Sequence, residues 1–94
     1  MLIVRNTFVA KPGLAGQLAL KLKDMVAAGG LVNARILTDA VTDFNQVVME
    51  HEVESLAQFE ETIRRYTSDA TIQEKAKGYT ALWLTGRREI FRVA

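Results

Sequence analysis

Residues 1–13 read MLIVRNTFVAKPG. Leu2 to Val9 is rich in β-branched and aromatic residues, which suits a pleated, half-buried surface, and the run stops where Pro12 and Gly13 break a ladder. A strand with Arg5 and Asn6 at its centre poses a sorting problem. Successive side chains alternate between faces, so Leu2, Val4, Asn6 and Phe8 share one side while Ile3, Arg5, Thr7 and Val9 share the other. The first set is the more apolar and belongs beneath a covering layer; the second mixes charge with branched carbons.

Beyond the turn the period changes. Leu14, Leu18, Leu22, Met25 and Val26 recur at helical spacing, and Gly29-Gly30 ends that helix. Asn33 to Val41 and Gln46 to Val53 alternate on either side of Thr42-Asp43-Phe44-Asn45, which predicts a hairpin. Ser55-Leu56-Ala57-Gln58 is a capping box, and Leu56, Phe59, Ile63 and Tyr66 fall on one face of the helix it opens. Ser68-Asp69 caps a second helical piece running to Gly78, with Ile72, Ala76 and Tyr79 turned inward. Tyr79 to Thr85 reads equally as a helical turn or an extended connector, and Gly86 precedes a last strand, Arg87 to Val93. The order β-α-β-β-α-β predicts an α+β ferredoxin-like fold with an antiparallel sheet, one domain over residues 1–94.

Helices of this arrangement cover only one face of the sheet, so the other must meet water or a second layer. On the third strand, Val47, Met49, His51 and Val53 go with the covered set and Gln46, Val48, Glu50 and Glu52 with the uncovered one. Arg35, Leu37, Asp39 and Val41 on strand two and Arg88, Ile90 and Arg92 on the last strand are expected to join the uncovered set. There Glu50 or Glu52 pairs with Arg5 across strands. A face carrying both charge signs is either a solvated ion-pair lattice or complementary to itself, and the second reading predicts a homodimer about a two-fold axis.

Bulk composition narrows the function classes. A chain of 94 residues buries only about two-thirds of its unfolded surface, so a partner surface adds to a thin core. With 12 basic and 11 acidic residues, a net charge of +1 and no massed basic face, no field draws in nucleic acid or an anionic membrane. The absence of cysteine excludes disulfides and thiolate metal sites, and with no secretory leader pattern after Met1 and no membrane-length apolar run the expected location is cytoplasmic.

The phrases MLIVRNTFVAKPG, VESLAQFEE, SDATIQEKAKGY and GRREIFRV resemble the dimeric α+β barrel superfamily, particularly its small NIPSNAP-like and antibiotic-biosynthesis-monooxygenase-like members. The likeness spans nearly the whole chain. It implies a homodimer whose two sheets face each other as a barrel, with a small cavity between each sheet and its helices. Haem-degrading and cofactor-independent monooxygenases of that superfamily carry an asparagine at the place of Asn6. The haem-degrading members also use a tryptophan and a histidine on the second helix, where this chain has Thr62 in place of the first and Lys75 or a neighbour near the second, so haem breakdown is not expected.

Read from the residues alone, Asn6 is an amide that needs hydrogen-bond partners under the helices, and His51 is a lone histidine on the apolar stripe of Met49 and Val53. The resemblance makes Asn6 a candidate catalytic residue, orienting substrate or dioxygen, and His51, whose ordinary pKa lies near neutrality, is the candidate that accepts a proton. Phe44, Tyr66, Tyr79 and Trp83 are the large side chains suited to lining a pocket for a small apolar or aromatic molecule. No metal site forms around His51, because Glu50 and Glu52 point to the opposite face, and no phosphate loop or nucleophile elbow is present; no cofactor is expected. Three functions follow: a homodimeric binder of an apolar or aromatic metabolite, a cofactor-independent monooxygenase acting on an aromatic substrate, and an interaction module without a pocket.

Overall fold

The first strand, β1, runs Leu2–Ala10, one residue beyond its apolar run, in a computed structural model that describes residues 1–94. It is followed by α1 (Ala15–Gly29), β2 (Val32–Thr38), β3 (Gln46–Val53), α2 (Leu56–Ser68), α3 (Ala70–Ala76), a 3-10 turn (Tyr79–Leu82) and β4 (Trp83–Arg92). The strands form one sheet in the order β2-β3-β1-β4, antiparallel throughout, which is the expected ferredoxin-like arrangement.

The helix boundaries follow local chemistry. Gly30 adopts a left-handed conformation (φ 62°) and its N–H closes α1 on the Val26 carbonyl at 3.0 Å. Ser55 Oγ accepts from the Gln58 N–H at 3.1 Å, and Gln58 Oε1 reaches back past the cap to accept from the Glu54 N–H at 2.5 Å, a capping box displaced by one residue. Asp69 Oδ1 accepts from the Ile72 N–H at 3.0 Å and starts α3.

Leu18 and Leu22 of α1 are fully buried against Val47 and Ala10, and Leu2, Val4 and Val53 form a second cluster packed against Phe59 of α2 and Ile90 of β4. Gly29 permits one close approach. A Cβ there would stand 2.6 Å from Tyr66 Cζ, so the tyrosine ring lies directly on the α1 backbone and its hydroxyl donates to the Met25 carbonyl at 3.2 Å.

α3 ends at Ala76, short of the expected Gly78, and two boundaries differ from the sequence expectation by three residues or more. β2 ends at Thr38 rather than Val41, because residues 39–45 satisfy their own polar groups. Thr42 Oγ1 donates to Asp39 Oδ2 at 2.8 Å, and Phe44 and Asn45 adopt left-handed φ values of 93° and 56° that end the alternation. β4 begins at Trp83, four residues before Arg87, and takes in Gly86. Gly86 lies opposite Phe8 and a Cβ there would stand 3.1 Å from the Thr7 carbonyl oxygen, so this glycine marks a close strand approach instead of a break.

The faces of β1 and β3 sort as expected, and β4 corrects the expectation. Its register pairs Asn6 with Arg88, Val4 with Ile90 and Leu2 with Arg92, and directly paired residues share a face. Arg88, Ile90 and Arg92 therefore lie on the helix side, and Arg87, Glu89 and Phe91 on the open side. Assigning the arginines by charge failed because the register with β1, and not their charge, sets the side they face: Arg88 stays exposed on the helix side, with its Nε donated to Asn6. Asp39 and Val41, also expected on the open side, fall outside β2.

On that open side Arg5 Nε donates to Glu50 Oε2 at 2.6 Å and Arg35 Nη2 reaches Glu50 Oε1 at 2.8 Å. The two arginines leave Glu50 only 5% exposed. Leu37, Phe91 and Val32 stand exposed on the same sheet.

Candidate functional site

The sheet supplies a floor and the helices a roof, and between them lies an open cavity of about 410 Å³. Asn6 and Phe8 of β1, Met49 and His51 of β3, and Arg88 of β4 form the floor, as the two-residue period of each strand requires. Leu22 and Met25 of α1, Phe59, Thr62, Ile63 and Tyr66 of α2, and Ala76 of α3 form the walls. Lys77, Tyr79 and Thr80 complete the lining beyond α3.

Polar groups converge on the floor. Asn6 is 6% exposed, and its Oδ1 accepts a 2.7 Å hydrogen bond from Arg88 Nε. The Arg88 guanidinium carbon stands 5.2 Å from the centre of the Phe59 ring, so the group is held between an amide and an aromatic face. His51 pairs with Val4 and is the diagonal neighbour of Asn6, on the same face. Burial pushes the His51 imidazole below its ordinary pKa and the Arg88 charge acts in the same direction, against a backbone hydrogen bond at Glu52 that raises it. Its Nδ1 is buried and has no protein partner. His51 is only 4% exposed, and β1 runs between its strand and that of Arg88, so the imidazole meets the cavity at its edge. Burial also pushes the Tyr66 phenol upward, so Tyr66 acts here as a neutral donor already engaged with α1.

Of the residues singled out in the sequence, Asn6, His51, Tyr66 and Tyr79 line this cavity together. Phe44 does not: it is 79% exposed in the β2–β3 loop, carried outward by its left-handed backbone. Trp83 does not line it either. Its ring packs 5.3 Å from Phe8 and 6.3 Å from Tyr79, so it supports two lining side chains from behind. Arg88 is the residue that the sequence reading misplaced. The need of Asn6 for a partner, together with the antiparallel pairing of the first and last strands, is the signal that points to it. Phe59, on the inward face of α2 with Ile63 and Tyr66, lines the cavity as well.

No three His, Cys, Asp or Glu side chains come together as a metal site. No helix is long and apolar enough to cross a membrane.

No family model and no curated protein matches the chain, whereas 39 solved chains do. An uncharacterised NIPSNAP domain protein from Burkholderia xenovorans superposes with a TM-score of 0.84 at 14% identity, over 100% of this chain and 95% of its own. A NIPSNAP family protein from Agrobacterium tumefaciens C58 gives 0.84 at 11% identity, over 99% and 92%. A provisionally named antibiotic biosynthesis monooxygenase from Chloroflexus aurantiacus gives 0.72 at 13% identity, over 99% and 94%. At such identities the shared property is the fold, which is the one the sequence resemblance implied.

Proposed function

We propose that this chain, built on the fold it shares with NIPSNAP-type proteins and with a provisional antibiotic biosynthesis monooxygenase, is a homodimeric binder of a small aromatic or apolar metabolite. The carrying observation is the cavity: about 410 Å³, lined by 18 residues of which 10 are hydrophobic, with Asn6, His51 and Arg88 converging on its floor. That volume and mixture suit a ligand of one or two rings. The dimer rests on the open face, where a charge lattice around Glu50 is bordered by exposed Leu37 and Phe91. A cytoplasmic setting suits a chain without cysteine. The test is thermal unfolding against a panel of one- and two-ring aromatic compounds. Members of the panel should raise Tm in the wild type by several degrees, since binding to the native state alone stabilises it. Ala76→Trp, which fills the cavity from α3, should abolish the shift. No shift with any compound, or an equal shift in the variant, contradicts the reading.

A second reading, a cofactor-independent monooxygenase, is favoured by the presence of Asn6 and His51 on one cavity floor. An aromatic ketone with an activated CH2 would lose a proton to His51, and the resulting carbanion would supply electrons to dioxygen. The balance is CH2 plus O2 giving C=O plus H2O, with all four electrons from the substrate carbon. Oxygen uptake with anthrone should then yield anthraquinone and fall at least tenfold in Asn6→Ala with the fold retained. Equal uptake by that variant would remove the enzyme reading and leave binding intact.

A further inference from the structure

The lining of the cavity contains no aspartate and no glutamate, although the chain carries 11 acidic residues against 12 basic ones. The recess nevertheless holds Arg88 on its floor and Lys77 near the end of α3. The chain's paired acids lie elsewhere: Glu50 and Glu89 on the open sheet face with Arg5, Arg35 and Arg87, and Glu61 with its neighbour Arg64 on exposed α2 surface. None of the chain's four ion pairs includes Arg88 or Lys77.

Arg88 is also oriented. Its Nε is committed to Asn6 and its guanidinium carbon stands 5.2 Å from the centre of the Phe59 ring, while the two terminal nitrogens of this exposed side chain make no hydrogen bond within the chain. A guanidinium pinned at one edge presents its remaining donors in the fork that a carboxylate accepts. A neutral apolar ligand filling this recess would strip water from that charge and return nothing, which is costly. An anionic one compensates the desolvation it causes.

We propose that the natural ligand is an organic anion, an aromatic or aliphatic carboxylate whose acid group is held by the free end of Arg88 while its apolar body lies against Phe59, Ile63 and Met49. This rests on the cavity-binding reading above and adds the chemical class of the ligand. Lys77 adds a second positive charge to the recess, and the Asn6 hydrogen bond makes Asn6 the residue that positions Arg88.

Isothermal titration with 1-naphthoate and its neutral isostere 1-naphthamide provides the test. The wild type should bind the carboxylate at least tenfold more tightly than the amide. Arg88→Met, which keeps the apolar stem of the side chain, should bring the ratio of the two affinities to within about threefold, and Lys77→Met should reduce it by a smaller factor. Equal or tighter binding of the amide by the wild type overturns the anionic class while leaving a binding cavity. Retention of the full ratio in folded Arg88→Met overturns the role of Arg88. Binding of neither probe removes both this proposal and the reading on which it rests.

Discussion

Arg88 Nε donates a 2.7 Å hydrogen bond to Asn6 Oδ1 across 82 positions of sequence. The floor of the cavity is therefore completed only when β4 docks on β1, and the polar chemistry of the site depends on the register of that pairing.

The first prediction concerns this pair. Asn6→Ala leaves Arg88 without its acceptor and should cost about 1–3 kcal/mol in urea unfolding. Asn6→Asp supplies a charged acceptor and should hold stability within about 1 kcal/mol of wild type. It also neutralises Arg88, so it should lower the affinity for 1-naphthoate far more than that for 1-naphthamide. An Asn6→Asp protein that binds both like the wild type would contradict the account.

Glu50 sets the acid response of the open face. Burial raises its carboxyl pKa, but the hydrogen bonds and charges of Arg5 and Arg35 outweigh burial and hold it below the ordinary value of 4.5. A carboxyl depressed in the folded state contributes stability that is complete above its unfolded pKa, near 4.5, and is lost as pH falls through the folded pKa. Wild-type stability should therefore fall on acidification below that value more steeply than that of Glu50→Gln. At pH 7 the variant should be less stable by about 1–3 kcal/mol, because two arginines lose their shared anion. Parallel acid profiles in urea titrations would refute this.

The two glycines within α1 should respond in opposite directions. A Cβ at Gly29 overlaps the Tyr66 ring, so Gly29→Ala should destabilise by about 1–3 kcal/mol as the tyrosine is displaced. Gly16 has nothing within 4 Å of its would-be Cβ, so Gly16→Ala should stabilise by about 0.5 kcal/mol through helix propensity alone. Chemical unfolding of both variants checks the sign of each.

The uncovered sheet face predicts self-association. The wild type should sediment as a dimer at micromolar concentration, and Leu37→Arg, which adds a cation to a recess already lined by Arg5, Arg35 and Arg87, should sediment as a monomer with an unchanged far-ultraviolet spectrum. A monomeric wild type would show the Arg5–Glu50–Arg35 lattice to be a solvated surface.

Most of the fold was legible because its signals are local. Leu18 and Leu22 declare a helical period, Ser55 with Gln58 declares a cap, and the alternation of Val47, Met49, His51 and Val53 declares a covered strand face. The site was legible in half. Asn6 and His51 were placed beneath the helices by parity alone, and both line the cavity. Arg88 was misplaced because the side it faces is set by pairing with Asn6, 82 positions away, and its charge is equally at home on the exposed part of either side. Phe44, expected in the pocket, lies outside it for a different reason. Its left-handed backbone is imposed by the hydrogen bonds of residues 39–45, which no hydrophobic period reveals.

The central claim is that the space between sheet and helices is a binding site. Backbone amide chemical-shift mapping during titration with 1-naphthoate tests it most directly. Saturable shifts should concentrate at Asn6, Met49, His51, Tyr66 and Arg88, with little change at Arg5 and Arg35 on the opposite face. Shifts confined to those two open-face arginines, or no saturable shift anywhere, would contradict it.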